Sequence, residues 1–294
     1  SKHCNPKCVF YKRKDYSIDI LTSVDLQKSL EHRLETNFEG KVVQLGKLLG
    51  LPENIDCDVY PGELVTIFGS TGSNKTTLAQ NLALGYDVRH DFIDPELQIP
   101  TLYLSLELSE WYMHRRHLQI VSDRDKKGVN SNFKRLWEFH KEELNHINVT
   151  TVSPSVEQIS EMIRKTDPRL VIVDYIDLVE PPKHIRGEYE TIRYISHRLS
   201  SMAINLDIVI IQISQINRAY SREQIMDMYA SKGSGAIENA SRKVLGITGD
   251  AKDKVKKLEL YKNSDGDLFQ GHYLKWTPSF RLKKVTEEQS ELPN

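Results

Sequence analysis

The chain has 294 residues, with 40 Lys and Arg against 41 Asp and Glu, a net charge of −1, 28% charged and 39% hydrophobic residues. This suits one large soluble domain, or one with an appendage, and it excludes a protein that coats DNA by bulk charge, though not one with a local nucleic-acid loop. No apolar run approaches the ~18 residues of a membrane helix, no signal-peptide pattern opens the chain, and Cys4, Cys8 and Cys57 cannot build a disulfide framework, which points to a reducing, cytoplasmic compartment.

Residues 1–40 read as an N-terminal arm, and the start at Ser1 rather than Met is what a piece of a longer protein shows. Lys7, Lys12, Arg13 and Lys14 form an early basic stretch. Leu26, Leu30 and Leu34 then recur at helical spacing within Asp25–Glu35, a stripe too narrow to make a core, as in a linker helix that docks on a neighbour. His3, Cys4 and Cys8 fall short of the four ligands of a structural zinc site, so a polar tail is the plainer reading. Residues 41–285 alternate between two patterns. Short apolar runs at Glu63–Gly69, Thr101–Leu106, Ile147–Val152, Leu170–Asp174 and Ile208–Ile213 predict buried parallel strands. Helix-length segments at 75–86, 110–122, 131–145, 155–166 and 190–205 lie between or beside them. This predicts an α/β domain with a mostly parallel twisted sheet flanked by helices. Lys257–Lys262 and Leu268–Trp276, joined by a Ser-Asp-Gly-Asp turn, predict a C-terminal β-hairpin, and 286–294 a polar tail.

Four motifs lie on this frame. Gly69-Ser70-Thr71-Gly72-Ser73-Asn74-Lys75-Thr76-Thr77 follows a strand and opens a helix. Small residues there let backbone N–H groups curl around a phosphate, the Lys reaches the β/γ oxygens, and the Thr76 hydroxyl suits Mg²⁺. Asn74 stands where a glycine usually precedes the Lys, and Asn tolerates left-handed backbone better than most residues. Leu170-Val-Ile-Val-Asp174 delivers a carboxylate to the carboxyl edge of the sheet, where a nucleotide-bound cation sits, while Asp177 reads as a cap on the following turn. Tyr103-Leu-Ser-Leu-Glu107-Leu-Ser109 ends a strand in a carboxylate that suits polarising an attacking water; a helix-capping Ser/Glu pair is the plainer alternative. In Ile211-Gln-Ile-Ser214-Gln215-Ile-Asn217-Arg218, Gln215 suits sensing of a γ-phosphate. The loop beyond it holds Arg218, Arg222 and Lys232 and reaches Ser234-Gly-Ala-Ile-Glu238 at a helix start, which suits a nucleic-acid phosphate, although a solvated surface loop fits the same composition.

In order and wording, GSTGSNKTT, YLSLELS, LVIVDYIDL, ISQINR and KGSGAIEN resemble the RecA-like P-loop ATPase domain of hexameric replicative DNA helicases, the DnaB type and the helicase half of phage primase-helicases. The resemblance covers residues 41–285. It implies an ATP (or other NTP) and Mg²⁺ dependent motor, in a bacterial or phage-infected cell, that forms a hexameric ring on single-stranded DNA and works beside a primase or other replication proteins. It also implies that Lys75 and Thr76 hold phosphates and Mg²⁺, that Asp174 is the metal-water ligand and Glu107 the catalytic base, and that Gln215 senses the γ-phosphate. By the same resemblance Lys232, Gly233 and Gly235 line the channel and touch DNA. The family's arginine finger lies in a Lys-x-Arg arrangement; here Lys262 is present and Ser264 occupies the Arg position, leaving Lys262 or Arg242 as substitutes. Since a trans arginine contributes roughly 10³–10⁵ in rate, a second reading stays open: an ATP-binding assembly or loading module with weakened turnover. A RecA-like recombinase filament is a third.

Overall fold

The computed structural model describes residues 20–216, 239–249 and 251–287. Helix α1 (Ser23–Glu35) begins at Thr22, whose hydroxyl accepts from the Asp25 N–H while the Asp25 carboxylate accepts from the Thr22 N–H. This reciprocal cap satisfies two N-terminal donors. No residue of α1 is buried. Its tie to the rest of the chain is polar, from Arg33 to Asp207 at 2.8 Å. The core starts just beyond, at Val43 and the short helix α2 (Leu45–Leu49).

Strand β1 (Leu64–Ser70) leads into α3 (Lys75–Leu84), and a two-stranded ribbon of β2 (Tyr86–Asp87) and β3 (Phe92–Ile93) follows. Then come β4 (Thr101–Ser105), α4 (Glu110–Ser122), α5 (Lys126–Leu144), β5 (Ile147–Thr150), α6 (Val156–Thr166), β6 (Leu170–Asp174), α7 (Glu188–Leu206) and β7 (Val209–Ile216). The chain closes with β8 (Lys243–Thr248), β9 (Val255–Asn263), β10 (Phe269–Trp276) and β11 (Leu282–Val285). The nine-stranded sheet has the order β11-β10-β9-β8-β1-β7-β6-β4-β5. The six strands from β8 to β5 are parallel and the last three pairings, β8–β9, β9–β10 and β10–β11, are antiparallel.

Because side chains alternate across a strand, β6 feeds both faces of the sheet. Leu170 and Ile172 pack with Leu78, Ala79 and Leu82 of α3 and Met113 of α4, whereas Val171 and Val173 pack with Ile159 and Ile163 of α6 and Ile195 and Leu199 of α7. Burial on both faces is why these strands read as continuous apolar runs. Two features exceed the prediction. The C-terminal hairpin has a third strand, β11, and a further parallel strand, β8, lies between it and β1. Strand β8 carries Lys243 fully buried, its ammonium 2.6 Å from Asp265 and 3.4 Å from Glu63. Helix α5 also starts five residues earlier than predicted, where the Asp125 carboxylate accepts from the Gly128 N–H.

Candidate nucleotide site

Strand β1 carries the phosphate-loop residues at its carboxyl end. Gly69 runs so close to β8 that a Cβ there would lie 2.6 Å from the Ile247 carbonyl oxygen and 2.6 Å from the Ser73 hydroxyl. Gly72 has φ +84° and would meet Ala251 at 2.7 Å. Both positions therefore exclude a side chain, one by close approach and one by backbone sign as well. Asn74 sits at φ 67°, ψ 31° and makes no side-chain cap bond to α3. The helix's leading N–H groups are thus left without a side-chain cap, in the form that receives anions at helix N-termini.

Lys75 is 8% exposed, and its ammonium donates to the Ser70 carbonyl at 2.8 Å. Burial lowers its pKa to about 8 against the opposing pull of Asp174, Glu107 and Asp177. Thr76 donates to Asp174 Oδ1 at 3.3 Å, and the hydroxyl of Tyr103, on β4, donates to Asp174 Oδ2 at 2.7 Å. Burial raises the Asp174 carboxyl to about 6, opposed by these two hydrogen bonds and by Lys75, and reinforced by the Glu107 charge. Glu107 is exposed just past the end of β4, close enough for its charge to act on Lys75, Asp174 and Tyr175. On β7, Gln215 is paired in register with Gly69, and its amide donates to the Thr71 hydroxyl at 2.5 Å.

Ser70, Thr71, Lys75, Thr76, Asp174 and Gln215 are therefore joined by direct contacts, with Glu107 in the same electrostatic neighbourhood. A hydroxyl beside a carboxylate is an oxygen-only donor set that fits a hard cation carrying its own waters and nucleotide phosphates. Among the described residues no group of three or more His, Cys, Asp or Glu is arranged to hold a metal by itself. Lys262 lies elsewhere. Gly69 is level with Ile247, whereas Lys262 pairs with Val244, three residues back along β8 and about 10 Å toward the opposite edge of the parallel strands. Ser264 donates through N–H and hydroxyl to the Arg242 carbonyl, at 3.1 and 2.9 Å, so Arg242 adjoins the position of the absent arginine. Arg218, Arg222, Lys232, Gly233 and Gly235 lie outside the described residues, as do His3, Cys4 and Cys8.

Two residues of the site escape a reading of the sequence. Tyr103 looks like an ordinary strand aromatic, although a buried phenol demands a partner, and that demand is the available signal. Asp177 does not act as a turn cap. Its carboxylate accepts from the Gln215 N–H at 3.4 Å and so ties the turn after β6 to the end of β7.

Residues 55–271 match the family described as the DnaB-like helicase C-terminal domain. A curated relative, the replicative DNA helicase DnaB of Treponema pallidum, is 25% identical over 260 residues, which cover 83% of this chain and 57% of that protein. A second, from Mycoplasma genitalium, is 28% identical over 68% of this chain and 45% of its own length, so the chain spans about half the length of the curated relatives it matches. Among solved structures, the ATPase domain of G40P superposes with a TM-score of 0.68 at 17% identity, covering 91% of this chain and 100% of that one. At these identities the solved structure speaks for the fold.

Proposed function

The chain belongs to the DnaB-like helicase C-terminal domain family, and on that premise we propose that it is the ATP- and Mg²⁺-dependent motor of a replicative DNA helicase, acting in the cytoplasm of a bacterial or phage-infected cell. In this reading it assembles as a hexameric ring, moves along single-stranded DNA and separates the duplex. The observation that carries the reading is the Lys75–Thr76–Asp174 cluster at the mouth of the loop, joined through Thr71 to Gln215 on the strand that leads toward residues 217–238.

The phosphates of ATP compete with the Ser70 carbonyl for Lys75 and draw its ammonium onto the β/γ oxygens. The N–H groups of Gly72 through Thr76 cradle the β-phosphate. Thr76 and Asp174 are the residues that would hold Mg²⁺, which would supply neutralisation of the charge developing on the transferred phosphoryl group. Glu107 accepts the proton of the attacking water. Gln215 exchanges its bond to Thr71 for one to the γ-phosphate, so that the end of β7 reports hydrolysis to the residues proposed for DNA contact, Arg218, Arg222, Lys232, Gly233 and Gly235. A neighbouring copy supplies Arg242 or Lys262 to the same phosphates, and α1 docks on a neighbour. A primase partner is drawn from likeness. A solved structure of a DnaB-like replicative helicase, described together with its interactions with primase, superposes at TM-score 0.58 and 19% identity over 76% of this chain and 57% of that one.

The test is binding of a fluorescent ATP analogue. Lys75→Ala should abolish it while leaving thermal unfolding within a few degrees of the parent; tight binding by the variant would remove Lys75 from the site. Ser264 in the arginine position favours the second reading, an ATP-binding assembly module with slow turnover, and binding without DNA-stimulated phosphate release would select it.

A further inference from the structure

Strand β4 carries a phenol where packing calls only for a ring. Tyr103 is fully buried, among Leu78 and Ala79 of α3, Met113 of α4 and Ile172 of β6. A phenylalanine would fill that space, and a hydroxyl taken out of water costs free energy unless it finds a partner. The sheet supplies one. Tyr103 lies beside Ile172 in register, and Asp174, two residues further along β6, projects from the same face. The Tyr103 hydroxyl donates to Asp174 Oδ2 at 2.7 Å, while Thr76 donates to Oδ1 at 3.3 Å. The same strand leads to Glu107. Ser105, level with Asp174, donates from its hydroxyl to the Leu108 carbonyl at 2.9 Å and so pins the turn in which Glu107 stands. The Leu106 N–H donates to the Asp174 carbonyl, also at 2.9 Å.

We propose that Tyr103 is a positioning residue for the nucleotide-bound cation: its hydroxyl holds Asp174 by Oδ2, so that Oδ1, the oxygen beside Thr76, is the one left to face the loop. The proposal rests on the nucleotide-site reading above. A carboxylate at the end of a strand turns about its own side-chain torsions unless something holds it. Here the charge of Glu107 repels it and the ammonium of Lys75 attracts it. That attraction shifts when Lys75 leaves the Ser70 carbonyl for a phosphate. A short bond from a buried donor on the neighbouring strand does not shift with it, and gives Asp174, only 2% exposed, a fixed reference. Groups that hydrogen-bond a metal's ligands orient them, and losing one typically costs about 10–100-fold in metal affinity. Because Asp174 shares the cation with Thr76 and the phosphates, the effect belongs near the lower end of that range.

The experiment measures the Kd of a fluorescent, non-hydrolysable ATP analogue for the full chain across a Mg²⁺ series. Tyr103→Phe keeps the ring and should raise the Mg²⁺ concentration for half-maximal tightening about tenfold. The defect should close at saturating Mg²⁺, where the parent Kd returns, a rescue that a merely structural tyrosine does not give. Asp174→Asn should remove most of the Mg²⁺ response, and Tyr103→Phe added to it should change nothing further, because the hydroxyl acts through that carboxylate. If Tyr103→Phe keeps the parent's Mg²⁺ midpoint while Asp174→Asn loses the response, the positioning role is overturned and the nucleotide-site reading stands. A loss of affinity of equal size at every Mg²⁺ concentration would overturn it too, as damage to the loop. If Mg²⁺ does not tighten analogue binding by the unmodified chain, the nucleotide-site reading fails and the role of Tyr103 with it.

Discussion

Asn74 carries left-handed backbone at φ 67° and keeps its side chain out of the helix cap, so the substitution for glycine leaves the loop's path intact and adds an amide beside it. For most residues that backbone costs roughly 1–2 kcal/mol, and Asn is among the few that visit it routinely. Tyr103 and Thr76 occupy separate oxygens of Asp174, which orients a buried carboxylate toward the loop. Other buried polar groups serve the fold. His272 is 6% exposed and donates from Nε2 to the Leu49 carbonyl at 2.7 Å, and burial lowers its pKa to about 4; His117 falls to about 3 for the same reason. An unfolded histidine titrates near 6.5, so between about pH 6.5 and pH 4 the unfolded chain binds the proton and the folded one does not. Stability is therefore full above pH 6.5 and declines as pH falls, by about 3 kcal/mol on account of His272 alone. Urea unfolding at pH 7 and at pH 4.5 should show this drop, and His272→Gln should reduce it. An unchanged drop in the variant would remove His272 as a cause.

At the scale of elements, α1 stands apart. Leu26, Leu30 and Leu34 share one face and are 56%, 50% and 62% exposed, although each could contribute about 1.5–3 kcal/mol if buried. Replacing all three with Ala should weaken ATP-dependent self-assembly at least 100-fold in sedimentation velocity. The melting temperature of the dissociated chain should stay put, because α1 buries nothing within it. Undiminished assembly would show that α1 does not dock. The central strands and the helices between them were legible because burial on both faces writes long apolar runs. Strand β8 was not, since Lys243 and Gly246 interrupt its pattern; the Lys is tolerated only through Asp265 and Glu63, from distant positions in the chain. The early start of α5 depended on one cap at Asp125, a local signal easily outweighed by the Gly and Asn residues that follow. In the site, the phosphate loop, Asp174 and Gln215 could be read from spacing. The bonds of Tyr103 to Asp174 and of Asp177 to Gln215 could not, because they depend on which strands become neighbours: β4 beside β6, and the turn after β6 against β7.

Over the whole molecule, the sheet brings the carboxyl ends of β1, β4, β6 and β7 to one edge, and every residue proposed for nucleotide chemistry within one chain lies there. Lys262 and Ser264 lie toward the other edge. That separation leaves Lys262 and Arg242 to act on a neighbour's nucleotide rather than their own, so turnover and assembly are coupled in this account. The most direct test is ATP hydrolysis by the full chain with and without single-stranded DNA, beside Glu107→Gln. The account predicts a DNA-stimulated rate that falls at least 100-fold in the variant while ATP binding persists. Tight ATP binding with no hydrolysis in the unmodified chain, with or without DNA, would contradict it.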